Sequence, residues 1–193
     1  MADIELKLKR YDELLHQWQA KINLVGPKTL RDSRSRHFED SLQILDYIPA
    51  SAKTGVDLGS GAGFPGLVIA MAKPDIHMTL VESDQKKCSF LKTVSRETQT
   101  PATIQNERIE KTDLDTIPDF ITARALASLD KLFAYCEKWI LANPDLVLIF
   151  PKGQNYQSEI AAIEKEWRYD LETHPSRTDE EGVILVFRGI ARL

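Results

Sequence analysis

The chain has 193 residues, of which 42% are hydrophobic and 28% charged, and its formal net charge is −4. This length is typical of one domain. The net negative charge excludes a protein that binds nucleic acids nonspecifically over its whole surface, but it is compatible with a local basic patch. Apolar runs stay well short of the roughly 20 residues that cross a bilayer, so we expect a cytoplasmic protein without a membrane segment.

The first 50 residues are predicted to form a helical extension. Apolar residues from Ile4 to Ile22 recur at steps of three and four, which is typical of one face of an amphipathic helix. A Gly-Pro pair then interrupts the pattern, and a second helical region follows. We predict a single domain over 1–193, in which the extension 1–50 packs on a cofactor-binding core over 51–193.

From residue 54 onward strand patterns alternate with helix patterns, which is the order of a parallel sheet covered by helices on both faces. The last two predicted strands flank an acidic turn over 178–182 and form an antiparallel hairpin. The predicted fold class is therefore α/β, with a doubly wound, Rossmann-like sheet that is mostly parallel, an antiparallel C-terminal hairpin and an N-terminal helical extension.

A glycine-rich stretch, VDLGSGAGFPG, lies where the first predicted strand meets its helix and places four glycines in eight residues. Glycines at such a turn let the backbone approach a ligand, and the helix amino terminus adds a partial positive field. The third glycine comes one place too early for the dinucleotide fingerprint, and no P-loop lysine follows. Gly59 and Gly61 are therefore candidate cofactor contacts.

An acidic residue, Glu82, follows the second predicted strand about 20 residues beyond the turn, where a carboxylate accepts both ribose hydroxyls of an adenosine moiety. Spacing alone leaves NAD and S-adenosylmethionine as alternatives. A purely structural turn with a solvated Glu82 is the third.

Six stretches in order along the chain carry a family resemblance: INLVGP, RHFEDSLQIL, VDLGSGAGFPGLVIA, TLVESDQKKCSFL, ITARALASL and PKGQNYQSEI. Together they resemble the RsmG family, also called GidB, of bacterial methyltransferases that act on N7 of a guanosine in 16S ribosomal RNA. The resemblance implies S-adenosylmethionine as cofactor and, as partner, 16S rRNA in the small ribosomal subunit or its assembly intermediate. We expect a monomer. The cofactor contacts that the family motifs imply are Gly59, Phe64, Ile109, Glu110 and Arg124.

Methylation of guanine N7 needs no general base, because that nitrogen already carries a free lone pair. Catalysis then comes mainly from aligning donor and acceptor, and Arg124, Lys152 and His37 are the candidates for positioning them. We expect neither a metal site nor a cysteine nucleophile, since Cys88 and Cys136 lie in helix patterns without an activating neighbourhood.

A basic run over residues 28–37 contains Asp32 as its only acidic residue, which favours phosphate contact over a merely solvated face. The roles of His37, which either orients the base or caps a helix, and of Asn23 stay open. The candidate RNA contacts are Lys28, Arg31, Arg34, Arg36, His37 and Lys152.

Three other functions remain as alternatives to an RNA methyltransferase. A small-molecule methyltransferase would use the helical extension as a lid, although the basic run argues against it. A nucleoside-binding protein without turnover is compatible with the absence of a catalytic base. A nicotinamide oxidoreductase is disfavoured by the glycine spacing.

Overall fold

The computed structural model describes residues 2–193, and the side chains of Ala2 and Lys28 lie outside that description. Within this range the chain forms seven strands and seven α-helices. The strands are β1 (Thr54–Leu58), β2 (His77–Val81), β3 (Thr103–Gln105), β4 (Phe120–Thr122), β5 (Val147–Lys152), β6 (Trp167–Pro175) and β7 (Val183–Arg192). The helices are α1 (Ala2–Gln19), α2 (Pro27–Leu30), α3 (Asp40–Leu42), α4 (Gly66–Ala72), α5 (Gln85–Glu97), α6 (Leu129–Ala142) and α7 (Tyr156–Ile163).

All seven strands belong to one sheet in the order β3-β2-β1-β4-β5-β7-β6. Strands β1 to β5 pair in parallel, whereas β7 is antiparallel to its neighbours β5 and β6. The predicted fold class, including the antiparallel hairpin, is therefore confirmed. The strand order reverses between β1 and β4, so the carboxyl ends of these two strands border the crevice in which doubly wound folds place ligands.

The sheet has an apolar core on each face, which is why its central strands are apolar runs without alternation. One core holds Leu15 of α1, Leu67 of α4 and Phe90 of α5. The opposite core holds Phe133 of α6 and Ile163 of α7. Among the residues described, none of the helices combines the length and the hydropathy that a bilayer crossing requires.

The amino-terminal extension is attached directly to the glycine turn. Tyr11 of α1 is fully buried and stacks on Phe64, with ring centroids 5.1 Å apart. Its hydroxyl donates a hydrogen bond to the carbonyl of Ala62. Because a buried hydroxyl without a partner is costly, this hydrogen bond fixes α1 relative to the turn.

The helices of the extension are shorter and less regular than predicted. Helix α1 ends at Gln19, whose side-chain oxygen accepts from the backbone N–H groups of Leu24 and Val25 and so turns the chain back. The second helical region is a π-helical segment over Arg34–Glu39, then α3, then a 3₁₀ helix over Gln43–Tyr47.

Candidate active site

The glycine turn connects β1 to α4 through a left-handed backbone. Gly59, Gly61 and Gly63 have φ angles of +64°, +55° and +92°, which favour glycine strongly. A Cβ atom on Gly59 would stand 2.5 Å from Cδ1 of Leu126, whereas one on Gly61 would meet no heavy atom closer than 3.8 Å. Gly59 therefore allows close packing against the loop after β4, and Gly61 borders open space.

A cleft of about 310 Å³ opens beside this turn, and we call it the glycine-turn cleft. It brings together five of the seven predicted cofactor residues, namely Gly59, Gly61, Glu82, Ile109 and Glu110. Residues that the sequence did not single out also line it, among them Lys87, Arg108, Ala125, Leu126 and Tyr135.

The carboxylate of Glu82 lines this cleft and is largely buried. One of its oxygens accepts from the backbone N–H of Gly61 at 2.9 Å, and the other accepts from that of Asp84 at 2.8 Å. A carboxylate has about four lone-pair sites, so each oxygen retains capacity for one more donor. Two neighbouring ribose hydroxyls supply such donors, and the open space beside Gly61 leaves room for them. The cleft therefore fits the adenosine moiety of S-adenosylmethionine.

The other two predicted cofactor residues, Phe64 and Arg124, do not line the glycine-turn cleft. Phe64 is 4% exposed and stacks on His37 with ring centroids 5.0 Å apart. The guanidinium carbon of Arg124 lies 5.2 Å from the centre of the Phe64 ring. Phe64 thus packs against His37 and Arg124, and both of these residues line a second cleft.

The second cleft, which we call the Arg124 cleft, has a volume of about 400 Å³. It lies between the carboxyl ends of β4 and β5, the tip of the β6–β7 hairpin and the π-helical segment. All three predicted positioning residues line it, namely Arg124, Lys152 and His37, together with Arg36. Residues not predicted from sequence include Thr29, Asp40, Glu159, Thr178 and Asp179.

Hydrogen bonds assign a tautomer to His37. Its Nδ1 lies 3.1 Å from Nη2 of Arg124, and because a guanidinium only donates, Nδ1 accepts and the ring proton is on Nε2. Nε2 therefore donates to the hydroxyl oxygen of Thr29, and these two atoms are 3.0 Å apart. The Thr29 hydroxyl in turn donates to the carbonyl of Gly26. Burial, reinforced by the charge of Arg124, lowers the pKa of His37 to about 4, so the imidazole is neutral near pH 7.

The guanidinium of Arg124 keeps part of its hydrogen-bonding capacity. Nη1 donates to Oδ2 of Asp40 at 2.9 Å and to the carbonyl of Arg36 at 3.2 Å, while Nη2 donates to His37. Of its five N–H groups, the one on Nε and the second on Nη2 make no such bond to the described residues. Arg124 is therefore held on two sides and retains donors for a ligand.

The ammonium group of Lys152 makes its contacts within the protein. Its ammonium nitrogen lies 2.6 Å from Oε2 of Glu159 and donates to the carbonyl of Ala127 at 2.8 Å. The same Glu159 oxygen accepts from the backbone N–H of Leu129 at the start of α6. Lys152 therefore ties β5 to α6 and α7, and its charge is largely compensated.

The basic run is opposed in space by acids distant in sequence. Arg34 makes two hydrogen bonds to Glu5 of α1, at 2.9 and 3.0 Å, and so lies away from the Arg124 cleft. Arg36 lines that cleft and approaches Asp179 at 3.3 Å. Asp32 is thus the only acidic residue within the run, while Glu5 and Asp179 approach it from elsewhere in the chain.

Two further residues of the basic run were predicted to contact RNA, and the structure describes the side chain of only one of them. Arg31 is exposed and makes no ion pair with a described side chain. The side chain of Lys28 lies outside the described residues.

The cysteines have the character of packing residues. Cys88 and Cys136 are buried, and burial raises the pKa of both thiols. Within residues 2–193 no group of three or more metal-ligating side chains converges.

Comparison with known proteins decides the family. Residues 4–181 match the family model of rRNA small subunit methyltransferase G, GidB. The ribosomal RNA small subunit methyltransferase G of Paramagnetospirillum magneticum is 46% identical over 187 residues, which are 96% of this chain and 89% of that protein. The chain belongs to this family. The corresponding protein of Parvibaculum lavamentivorans is 43% identical, over 95% of this chain and 82% of its own.

Membership of the GidB family confirms the predicted resemblance, enzyme class and cofactor, which are those of an S-adenosylmethionine-dependent rRNA methyltransferase. Among solved structures, the mitomycin 7-O-methyltransferase MmcR resembles the chain with a TM-score of 0.63 at 16% identity, over 90% of this chain and 60% of that one. The similarity to this solved structure supports the fold assignment only.

Proposed function

We propose that the protein transfers the methyl group of S-adenosylmethionine to N7 of a guanosine in the 16S rRNA of the small ribosomal subunit. The observation that carries the proposal is that the glycine-turn cleft and the Arg124 cleft share a wall, since Ala125 lines both. One cleft offers acceptors for adenosine hydroxyls. The other offers a guanidinium and a neutral imidazole to a nucleotide.

The glycine-turn cleft holds the methyl donor. Glu82 accepts from the ribose hydroxyls, and the backbone at Gly59 and Gly61 borders the methionine portion. Ile109 and Glu110 flank the adenine, where an apolar contact with one polar anchor is the common arrangement. When bound, the cofactor supplies a methyl carbon made electrophilic by a sulfonium.

The Arg124 cleft holds the acceptor guanine. The N–H groups that Arg124 retains on Nε and Nη2 suit the O6 atom, which lies beside N7, while N7 stays free to attack. His37 and Asp40 hold the guanidinium on two sides, so its direction is set before substrate binds. No residue needs to remove a proton, because N7 carries none.

The rim of the Arg124 cleft contacts the RNA backbone. Arg36 at the rim and the exposed Arg31 supply positive charge for phosphates. In this scheme the extension 1–50 contributes Arg36 and His37, while the core 51–193 contributes the cofactor cleft. The chain thus acts as one domain, as a cytoplasmic monomer, on the small subunit or its assembly intermediate.

A transfer assay with a mapped product tests the function. Purified protein is incubated with methyl-labelled S-adenosylmethionine and, in separate reactions, protein-free 16S RNA, assembly intermediates and mature small subunits that lack the modification. Label released as 7-methylguanine from one RNA position is the expected result. Label on a pyrimidine or an exocyclic amine, or none in any RNA, overturns the proposal.

A further inference from the structure

Ala125 has an unusual backbone at the junction of the two clefts. Its φ angle is +52°, and among the described residues only Gln99, at +49°, is another non-glycine residue with a positive φ. Left-handed backbone is unfavourable for most L-residues and persists where the surrounding structure enforces it, often at functional sites.

The side chains on either side of Ala125 point to different clefts. Arg124 reaches Asp40 and His37 in its own cleft. Leu126 packs so closely on Gly59 that a Cβ there would stand 2.5 Å from Cδ1 of Leu126, and it lines the glycine-turn cleft. Ala125 is the only described residue that lines both clefts. Its backbone angle therefore sets how the two walls are oriented relative to each other.

Building on the proposed function, we propose that Ala125 is a positioning residue whose left-handed backbone aligns the methyl donor in one cleft with the guanine in the other. Methyl transfer is an in-line displacement: the bond from N7 to carbon forms as the bond from carbon to sulfur breaks, and the electron pair of that bond goes to sulfur. Such a step depends steeply on alignment, and a misplacement of about 1 Å costs roughly 100-fold in rate. A replacement that disfavours the left-handed backbone at Ala125 should therefore lower kcat more than it lowers the affinity for either ligand.

Two replacements of similar size separate backbone conformation from bulk. Asn tolerates the left-handed region, whereas β-branched Val strongly disfavours it. We expect Ala125→Gly to keep kcat near that of the wild type, Ala125→Asn to retain most of it, and Ala125→Val to lower it about 100-fold. The affinities of S-adenosylhomocysteine and of RNA, measured by calorimetry and filter binding, should change less than about 3-fold in all three.

Gln99 provides a matched control, because it has almost the same φ angle but follows α5 and lines neither cleft. Gln99→Val should lower Tm to a similar degree and leave kcat unchanged. If Ala125→Val does not fold, Ala125→Leu replaces it in the comparison with Asn.

Three outcomes overturn the inference: equal losses of kcat in the Asn and Val variants, an unchanged kcat in Val, or an equal loss in Gln99→Val. The wild-type transfer assay tests the proposed function separately, because it requires no variant. An active wild type combined with any of the three outcomes refutes the role of Ala125 alone.

Discussion

The guanidinium of Arg124, just after β4, donates to Nδ1 of His37 across 3.1 Å and so joins the core of the protein to its amino-terminal extension. His37 comes from the π-helical segment, and its other ring nitrogen contacts Thr29 in α2. The Arg124 cleft therefore exists only when the extension is packed on the sheet. This dependence links folding of the extension to the geometry of the cleft that we propose for the acceptor guanine.

The neutral state of His37 predicts a loss of stability in acid. Its pKa is about 4 in the native state and about 6.5 in the unfolded chain, so between these values the unfolded chain binds the extra proton. The contribution of His37 is fully present above pH 6.5 and is lost as the pH falls from 6.5 towards 4. We expect urea denaturation to show a steeper acid loss for wild type than for His37→Gln, which cannot titrate.

Direct titration of the imidazole by NMR is the second measurement for His37. A midpoint near 4 is the expected result, whereas a midpoint at 6.5 or above would contradict the hydrogen bonds assigned to both ring nitrogens.

Glu82 should dominate cofactor affinity. In Glu82→Gln an amide NH₂ replaces one oxygen and faces a backbone N–H, either that of Gly61 or that of Asp84. Hydrogen bonds to charged groups contribute about 1.5–3 kcal/mol each, so we expect calorimetry to show at least a roughly 10-fold weaker binding of S-adenosylhomocysteine.

Lys152→Ala is the control for Glu82, because Lys152 lines the other cleft. It should lower Tm through loss of the Glu159 contact and leave S-adenosylhomocysteine affinity near that of the wild type. Equal losses of affinity in the two variants would show that the ribose assignment is wrong.

The sequence predicted the sheet, its antiparallel hairpin and the grouping of glycines with Glu82, because these depend on local patterns and on the fixed geometry of parallel strands. It did not predict where Arg124 points, since that direction depends on contacts with Asp40 and His37, which are more than 80 positions away in sequence. It also missed Tyr135, which lies off the buried stripe of α6 and faces the glycine-turn cleft. A single tyrosine on a helix carries no sequence signal for ligand contact.

Ion pairs between residues that are distant in sequence could not be predicted from the sequence either. Arg34 and Glu5 are 29 positions apart and meet only because α1 packs beside the π-helical segment. The two arginines of the segment therefore differ in their surroundings, although their local sequence context is almost the same.

This difference predicts unequal effects on RNA binding. Arg36→Gln removes a charge at the rim of the Arg124 cleft and should weaken RNA binding, with a salt dependence reduced by about one unit of slope. Arg34→Gln serves as the control, because Arg34 pairs with Glu5 away from that cleft, whereas Arg36 lines the cleft although it also approaches Asp179. RNA affinity measured over a range of salt concentrations tests both. Slopes that fall equally in the two variants would assign Arg34 to the RNA surface as well.

The hydroxyl of Tyr11 should stabilise both the fold and the glycine turn. Tyr11→Phe leaves the carbonyl of Ala62 without its buried donor, which costs about 1–3 kcal/mol of unfolding free energy. Urea denaturation measures the loss, and calorimetry should show weaker cofactor binding because the turn is less restrained. In the control Tyr47→Phe, the removed hydroxyl makes no hydrogen bond to a described residue, so little change is expected. A Tyr11→Phe variant as stable as wild type would mean that apolar packing attaches α1 without help from this hydrogen bond.

Gly66, the first residue of α4, is a position where an added methyl group should lower stability through a steric clash alone, because its backbone is not left-handed. A Cβ there would stand 2.8 Å from both Cβ and Oδ2 of Asp57, and the N–H of Gly66 donates to that same carboxylate at 3.2 Å. Asp57 is fully buried and also accepts from Thr122, so it has no space to retreat. Overpacking of this kind costs about 1–3 kcal/mol, and we expect Gly66→Ala to lower the free energy of unfolding by that amount. Gly153→Ala is the matched control, because a Cβ added at Gly153 would have no heavy atom within 4 Å. The free energy of unfolding of this variant should stay within about 0.5 kcal/mol of that of the wild type. Equal stability of the two variants in urea would show that Asp57 can move away from Gly66 and that the expected clash is relieved.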